Sequence, residues 1–292
     1  MTLLARFTRA PLRYFSKDAG MSVVPLSFVF GSEVIPHFRK RDKGGEDAFF
    51  VHEPSNCFGV SDGVGGWEED GVDPSLFSKE LMQLCFTSAA ELAKEGKPVN
   101  PLQVMELAWK RTTEIGSATC CVASLGKDNK LSYANLGDSG ILILRPFEKS
   151  FSILHRTKEQ QHHFNCPYQM ISERTAKRFS STISDPPSSA DIGTIQLAEN
   201  DLVIAVTDGV FDNLFDKDIV KVVSKITDTT KNRPSIIARE IAVLADATSS
   251  DCGAQIPFNI NASKFGKSRE GGKRDDVIVV VAMATQQTTS KL

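Results

Sequence analysis

The sequence lacks any long apolar run. Its longest, 277–284, is eight residues, against the 20 or so that a membrane-crossing helix needs. It lacks a charge imbalance too: 34 lysines and arginines face 36 acids, for a net charge of −2, so nothing marks the whole chain as a binder of nucleic acid. Six cysteines in 292 residues do not make a disulfide scaffold, and a reducing compartment is the simpler reading. Cys120 and Cys121 adjoin in an apolar run that reads as a strand, so they should face opposite ways. His155, His162, His163 and Cys166 offer ligand chemistry, but their spacing fits no zinc finger and reads as a structural or substrate-side loop. There is no internal repeat. What remains, 41% apolar and 24% charged, is an ordinary globular profile.

Charge is uneven at one place. Residues 1–17 hold Arg6, Arg9, Arg13 and Lys17 and no acid. Leu3, Phe7, Ala10 and Tyr14 recur at helical spacing on another face. An Arg-rich, acid-poor, amphipathic start describes a mitochondrial transit peptide, and no apolar core of secretory type follows it. Arg13-Tyr14-Phe15-Ser16 resembles a matrix-protease site. Cutting after Phe15 removes three arginines and takes the charge from −2 to −5. An acidic protein acting on anions must concentrate positive charge locally, for instance in metal ions. The expected organisation is a transit peptide and linker at 1–23, one domain at 24–285 and a frayed tail at 286–292.

Within the domain, strands are expected at 49–52 and 57–61 about the turn Glu53-Pro54-Ser55-Asn56. Asp73-Pro74 and Asn100-Pro101 each cap a helix with proline in its first turn. Phe77, Leu81, Leu84 and Cys85 give the first its apolar stripe. Short apolar segments at 118–125, 131–136, 139–144 and 151–154 lack intervening helices and imply antiparallel pairing, and 192–197 with 202–207 reads as a hairpin around Glu199-Asn200. Helices are expected at 216–226 and 234–248. A last strand at 277–284 should be buried on both faces. The polar stretch 251–274, with Lys264, Lys267, Arg269, Lys273 and Arg274, reads as a long loop. Helices flanking antiparallel strands make the fold class α+β, two sheets packed together with helices outside.

Five acidic corners sit beside glycines at strand ends: Gly44-Gly45-Glu46-Asp47, Asp62-Gly63-Val64-Gly65-Gly66, Gly137-Asp138-Ser139-Gly140, Asp208-Gly209 and Gly271 to Asp276. One Asp-Gly pair is usually a turn. Five are different, because acids converging at one end of a sandwich repel unless cations neutralise them. Hard oxygen ligands select Mg²⁺ or Mn²⁺, and glycine lets a backbone carbonyl approach the ion.

In this order, GGEDAFF, SDGVGGW, GSATCCVASL, NLGDSG, VTDGVFDN and GKRDDVIVVV resemble the motifs of metal-dependent protein phosphatases of type 2C, from about Glu46 to Val281. DGVGGW with DPSLFS, and HFNCPYQM, resemble the mitochondrial branch termed T-cell activation protein phosphatase 2C-like. The resemblance implies a four-layer α/β/β/α sandwich, two antiparallel sheets flanked by helix pairs. It implies that Asp62 bridges two Mn²⁺ or Mg²⁺ ions and that Gly63 offers its carbonyl to one. It assigns Asp208 and Asp275 to the other ion, Glu46 and Asp47 to coordinated waters or to metal directly, and Asp138 to a third, weaker site. Asp276 stands where many relatives have Asn and would support the ligands.

Two departures stand out. Val64 replaces a histidine proposed in relatives as general acid. Asp42 replaces a phosphate-binding arginine, leaving Arg41 and Lys43 as candidates for that role. The implied reaction is hydrolysis of phosphoserine and phosphothreonine in proteins by a water held between two divalent ions, with a monomer as the acting form. No Cys-x5-Arg loop is present, and no cysteine is needed as nucleophile. Two alternatives stay open: a catalytically weak phosphatase-like binding module, and another two-metal phosphohydrolase. The second would be expected to show a basic surface for a polyanion.

Overall fold

The computed structural model describes residues 24–287 except 97, 228, 229 and 231. The transit-peptide reading, and the expected tail beyond Gln287, lie outside the described residues.

Ten strands form two five-stranded antiparallel sheets. The first runs, edge to edge, Leu26–Ile35, Val277–Gln286, Leu202–Val206, Gly140–Phe147 and Ser150–Arg156. The second runs Asp191–Gln196, Lys130–Leu136, Cys120–Leu125, Cys57–Ser61 and Ala48–His52. Alternation along the central strands divides the apolar interior into three. Ile278, Val280, Ala282, Val203 and Ala205 meet Phe58, Val60, Cys121 and Ala123 between the sheets. Val277, Val279, Val281, Leu202 and Ile204 face the helices Asp216–Lys225 and Arg233–Ser249 through Ile219, Ile237 and Ile241. Cys120 and Val122 face the helices Pro74–Lys94 and Pro101–Arg111 through Phe77, Leu81 and Met105. Three cores between four layers give the α/β/β/α sandwich. Cys120 and Cys121 do part to opposite faces, and the valine-rich last strand is covered on both.

Both expected caps form. The Asp73 carboxylate accepts from the Ser75 N–H at 3.1 Å, and the Asn100 side chain accepts from the Gln103 N–H at 3.2 Å. Each satisfies a donor that the helix start leaves unpaired.

Five expectations need correction. The hairpin expected of 192–197 and 202–207 does not form: Asp191–Gln196 pairs with Lys130–Leu136 in the second sheet, while Leu202–Val206 lies in the first. The stretch 251–274 is not all loop: Pro257–Lys264 is a helix. Proline sits in its first turn, Ala262 is buried, and Asn259 Nδ2 donates to the Gly271 carbonyl at 3.0 Å. A strand at Leu26–Ile35 adds to the expected set and pairs along the whole last strand. The last strand continues to Gln286, and the Gln287 N–H donates to the Pro25 carbonyl at 3.0 Å, so the chain stays paired past the expected start of the tail. The expected strand 118–125 is two: Ser117–Ala118 pairs with Met170–Ile171, while Cys120–Leu125 joins the second sheet. The break falls at Thr119, and the site explains it.

Candidate metal centre

Strand register brings the acids together. In the first sheet, Gly140 pairs with Val206 and Val206 with Val279. Asp138 just before one strand, Asp208 just after its neighbour and Asp275 just before the next therefore emerge at one edge. In the second sheet Ala48 pairs with Ser61, which sets Asp47 beside Asp62. All five corners thus belong to one end of the sandwich.

Each acid is fixed by its own backbone. The Asp62 N–H donates to Thr119 Oγ1 at 3.0 Å, and the Thr119 N–H returns a 3.0 Å bond to the Asp62 carbonyl. Thr119 Oγ1 also lies 2.8 Å from Ser139 Oγ, tying the Asp62 corner to the Asp138 corner. A straight strand through Thr119 would lose this clamp. Gly63 bridges to Ala118, and a Cβ on it would stand 2.6 Å from the Glu46 carbonyl oxygen. At Gly209 a Cβ would stand 2.0 Å from the Asp276 carbonyl oxygen. Only glycine lets these corners close. Asp276 supports a loop: its two carboxylate oxygens accept from the backbone N–H groups of His37 and Glu46, at 2.6 and 2.8 Å.

Like charges dominate the electrostatics. Burial, then Asp276, Asp275 and Asp208, push the Asp47 carboxyl well above its ordinary value. Burial, then Asp208, Asp47, Asp275 and Asp138, do the same to Asp62. Asp138 is raised by burial and Asp208, and Glu46 by burial against the counter-pull of Lys40. Asp208 is raised by burial while Lys273 pulls the other way. Crowded buried carboxylates demand positive charge.

Two lysines supply part of it. Lys40 Nζ donates to Glu46 Oε2 at 2.6 Å and lies 3.8 Å from Asp276 Oδ2. Lys273 Nζ lies 2.5, 2.6 and 3.3 Å from carboxylate oxygens of Asp208, Asp212 and Asp275. The need is not met throughout, for Glu46 Oε1, Asp47 Oδ2, Asp138 Oδ1 and Asp208 Oδ1 are buried without a hydrogen-bond partner. Orphaned buried carboxylate oxygens are costly, and hard divalent cations are the partners that suit them. Among the described residues no three histidine, cysteine or acidic side chains stand as a ready-closed cage. A fitting shell would combine these carboxylates with the Gly63 carbonyl and water, so the donor set suits Mg²⁺ or Mn²⁺ and not zinc.

The remaining candidates sit elsewhere. Arg41 is exposed, and Lys43 Nζ lies 3.7 Å from Glu68 Oε1 and 4.0 Å from Asp73 Oδ2 on the surface. The cation of that run that reaches the acids is Lys40. A hollow of about 210 Å³ opens at Val64, lined also by Trp67, Gln169 and Thr182. His162 lies 2.9 Å from Asp185 Oδ2 and stacks on Tyr168, whereas His155 tilts on Tyr133 between the sheets' edges, so the histidines do not gather. All six cysteines are free. Reading the sequence alone missed Thr119, Lys40 and Asp212, and placed Lys273 in a loop rather than among the acids. Only for Asp212 was there a signal, four residues after Asp208 and hence one helical turn on.

No family model matches the chain. It is 39% identical to "Probable protein phosphatase 2C 80" of Arabidopsis thaliana over 90% of its own length and 60% of that protein. A second Arabidopsis thaliana relative, "Probable protein phosphatase 2C 55", is 37% identical and covered over 54%, so the chain spans little more than half of these relatives. A Danio rerio "Protein phosphatase PTC7 homolog" is 36% identical, with 91% of each chain covered. Among solved structures, that of the photosystem II phosphatase PBCP superposes with a TM-score of 0.76 at 34% identity, over 88% of this chain and 98% of that one. The catalytic domain of the phosphatase PstP, solved with two manganese ions, shares the fold alone, with a TM-score of 0.54 at 16% identity over 89% of this chain and 99% of that one. With the Danio rerio relative matched along 91% of its length and the same sandwich in both structures, the chain belongs to the protein phosphatase 2C family.

Proposed function

We propose that this protein is a metal-dependent protein serine/threonine phosphatase that acts as a monomer in mitochondria, in the matrix. The observation that carries the reading is the set of buried, partnerless carboxylate oxygens on Glu46, Asp47, Asp138 and Asp208 at one end of the sandwich. Family membership and the two manganese ions of PstP support it. The Arg-rich, acid-poor sequence at 1–17 supports the location.

Asp62 and the Gly63 carbonyl, with Glu46, Asp47, Asp208 and Asp275, would hold two Mn²⁺ or Mg²⁺ ions. When bound, such ions supply Lewis-acid polarisation and bring the pKa of water toward neutrality. The chain's own residues then divide the work. Thr119 holds Asp62 through paired backbone and side-chain bonds, so the Asp62 carboxylate would need little reorganisation to hold an ion. Asp276 fixes the loop that carries Lys40. The Lys40 ammonium is charged throughout the working range, because Glu46, Asp275 and Asp276 outweigh the depressing effect of burial. It is the residue suited to take a phosphoryl oxygen, in place of Arg41 or Lys43. Val64 has no transferable proton, so the departing serine or threonine oxygen takes its proton from solvent.

Turnover of a phosphothreonine peptide and of p-nitrophenyl phosphate, with manganese and with chelator, tests the proposal. Wild type should turn over both with manganese and neither with chelator, and Asp62→Asn should be inactive on both. Equal turnover by wild type and Asp62→Asn sinks it.

A further inference from the structure

Lys273 sits among carboxylates of the candidate metal centre. Its ammonium has three N–H donors and three carboxylate neighbours, Asp208 Oδ2, Asp212 Oδ2 and Asp275 Oδ2, at 2.5, 2.6 and 3.3 Å. The side chain is 18% exposed. Its backbone is clamped: the Lys273 N–H donates to Asn213 Oδ1 at 2.9 Å, and Asn213 Nδ2 donates to the Lys273 carbonyl at 2.8 Å. Asn213 Nδ2 is also 2.9 Å from the Gly209 carbonyl, so a single amide couples the lysine to the turn that carries Asp208. On the outer side the ammonium lies 5.1 Å from the centre of the Phe258 ring, within cation–π range. Phe258 belongs to the helix Pro257–Lys264, whose start is tied to Asp212 through the Phe258 N–H and the Asp212 carbonyl at 3.1 Å.

Asp208 therefore divides its oxygens. Oδ2 belongs to Lys273, and Oδ1 is buried and partnerless. Asp212 gives its Oδ2 to the same ammonium. Asp138 has Gln161 Nε2 at 3.4 Å from Oδ2 and nothing on Oδ1. A divalent ion shared by Asp138, Asp208 and Asp212 needs oxygens at about 2.0–2.2 Å, and the ammonium already holds two of those three side chains. The two cations cannot occupy that corner together.

We infer that the Lys273 ammonium is a built-in cation that replaces a third divalent ion between Asp138, Asp208 and Asp212, limiting the centre to two exchangeable metal ions. The inference rests on the two-ion reading proposed above. A tethered charge needs no free metal to keep its place, so Asp208 Oδ2 and Asp212 Oδ2 keep a cation at any ion concentration. Asp208 Oδ1 stays available to one of the two remaining ions.

The test counts bound manganese per chain by equilibrium dialysis and elemental analysis, up to millimolar free Mn²⁺. Wild type should saturate at two ions. Lys273→Met, of similar length and without charge, should gain one weaker ion, and the double variant Lys273→Met/Asp138→Asn should lose it again. In the wild-type background, Asp138→Asn should leave the count at two. This measurement holds if the lysine variant fails to fold, as seen by circular dichroism. Three ions in wild type, a drop caused by Asp138→Asn alone, or a folded Lys273→Met that still takes only two, each overturns the role given to Lys273. Fewer than two ions in wild type overturns the two-ion reading itself.

Discussion

Single side chains at the acidic end do separable jobs. Asp208 offers one buried oxygen to an ion and the other to Lys273. Asp208→Asn should cost about three decades in kcat/KM on a phosphopeptide with saturating manganese, roughly 4 kcal/mol of transition-state stabilisation. Activity within tenfold of wild type would take Asp208 out of the centre. Lys40 and Lys43 are three residues apart yet face different surroundings, one among buried acids and the other beside surface Glu68. Lys40→Met should raise KM for a phosphopeptide about ten- to a hundredfold, the range expected for a lost charge-assisted hydrogen bond. Lys43→Met should leave KM within about twofold, since an exposed pair contributes little. Steady-state kinetics on the two variants side by side decides which lysine meets phosphate.

At the level of elements, helix starts and covered strands carry the stability. The carboxylate of Asp73 caps the helix Pro74–Lys94, and Asp73→Ala should lower unfolding free energy by about 1 kcal/mol. Leu81 lies on the buried face of the same helix with no exposed surface, and Leu81→Ala should cost about 2–5 kcal/mol through transfer and cavity terms. Urea unfolding of both measures the contrast, and a larger loss for the cap than for the leucine would overturn this division. Elements also mark where local reading succeeds. Alternation set Cys120 and Cys121 on opposite faces, and the run at 277–284 named a strand buried on both, because period two survives whatever partner is found. Asp73-Pro74 and Asn100-Pro101 named helix starts, because capping is settled within four residues. The strand Leu26–Ile35 escaped notice because Gly31 and Ser32 interrupt its alternation, and only pairing with the last strand makes it regular. The helix Pro257–Lys264 has a β-branched, exposed Ile260 and two asparagines, weak helix formers. It exists because Asn259, Phe258 and Ala262 find partners elsewhere in the chain.

Across the whole molecule, the clustered acids set how stability should respond to pH when metal is withheld. Asp47, Asp62, Asp138 and Asp208 are raised in the folded protein, and Asp212 is pushed up to about 7 by burial and Asp208 against the pull of Lys273. A raised carboxyl means that the folded state binds more protons than the unfolded one. Stability then falls as pH rises from the unfolded carboxylate value, about 3.9, toward the folded values. Asp73, Asp128 and Glu173 are shifted the other way, held low chiefly by local hydrogen bonds that outweigh any burial, and His37, His52 and His155 are lowered chiefly by burial, which also favours higher pH; all six are exposed or half-buried and have less effect than the crowded acids. In chelator, the melting temperature should therefore rise as pH is lowered from 7.5 toward about 5.5. Manganese at pH 7.5 should restore it by binding the folded state alone. A chelated protein that melts lower at the more acidic pH would refute the account.

Local patterns in the sequence pointed to two sheets with helices outside and to the acids that the structure gathers at one end. Alternation, caps and the glycine beside each aspartate are local facts, fixed by backbone geometry over a few residues. Which cations answer those acids depends on the fold. In the run from Arg39 to Lys43, and again at Lys273 and Arg274, neighbouring basic residues look alike as text. Which of them turns inward depends on Asp276 gripping one loop and Asn213 gripping another. Those grips join residues more than fifty positions apart, a distance over which no local pattern carries information.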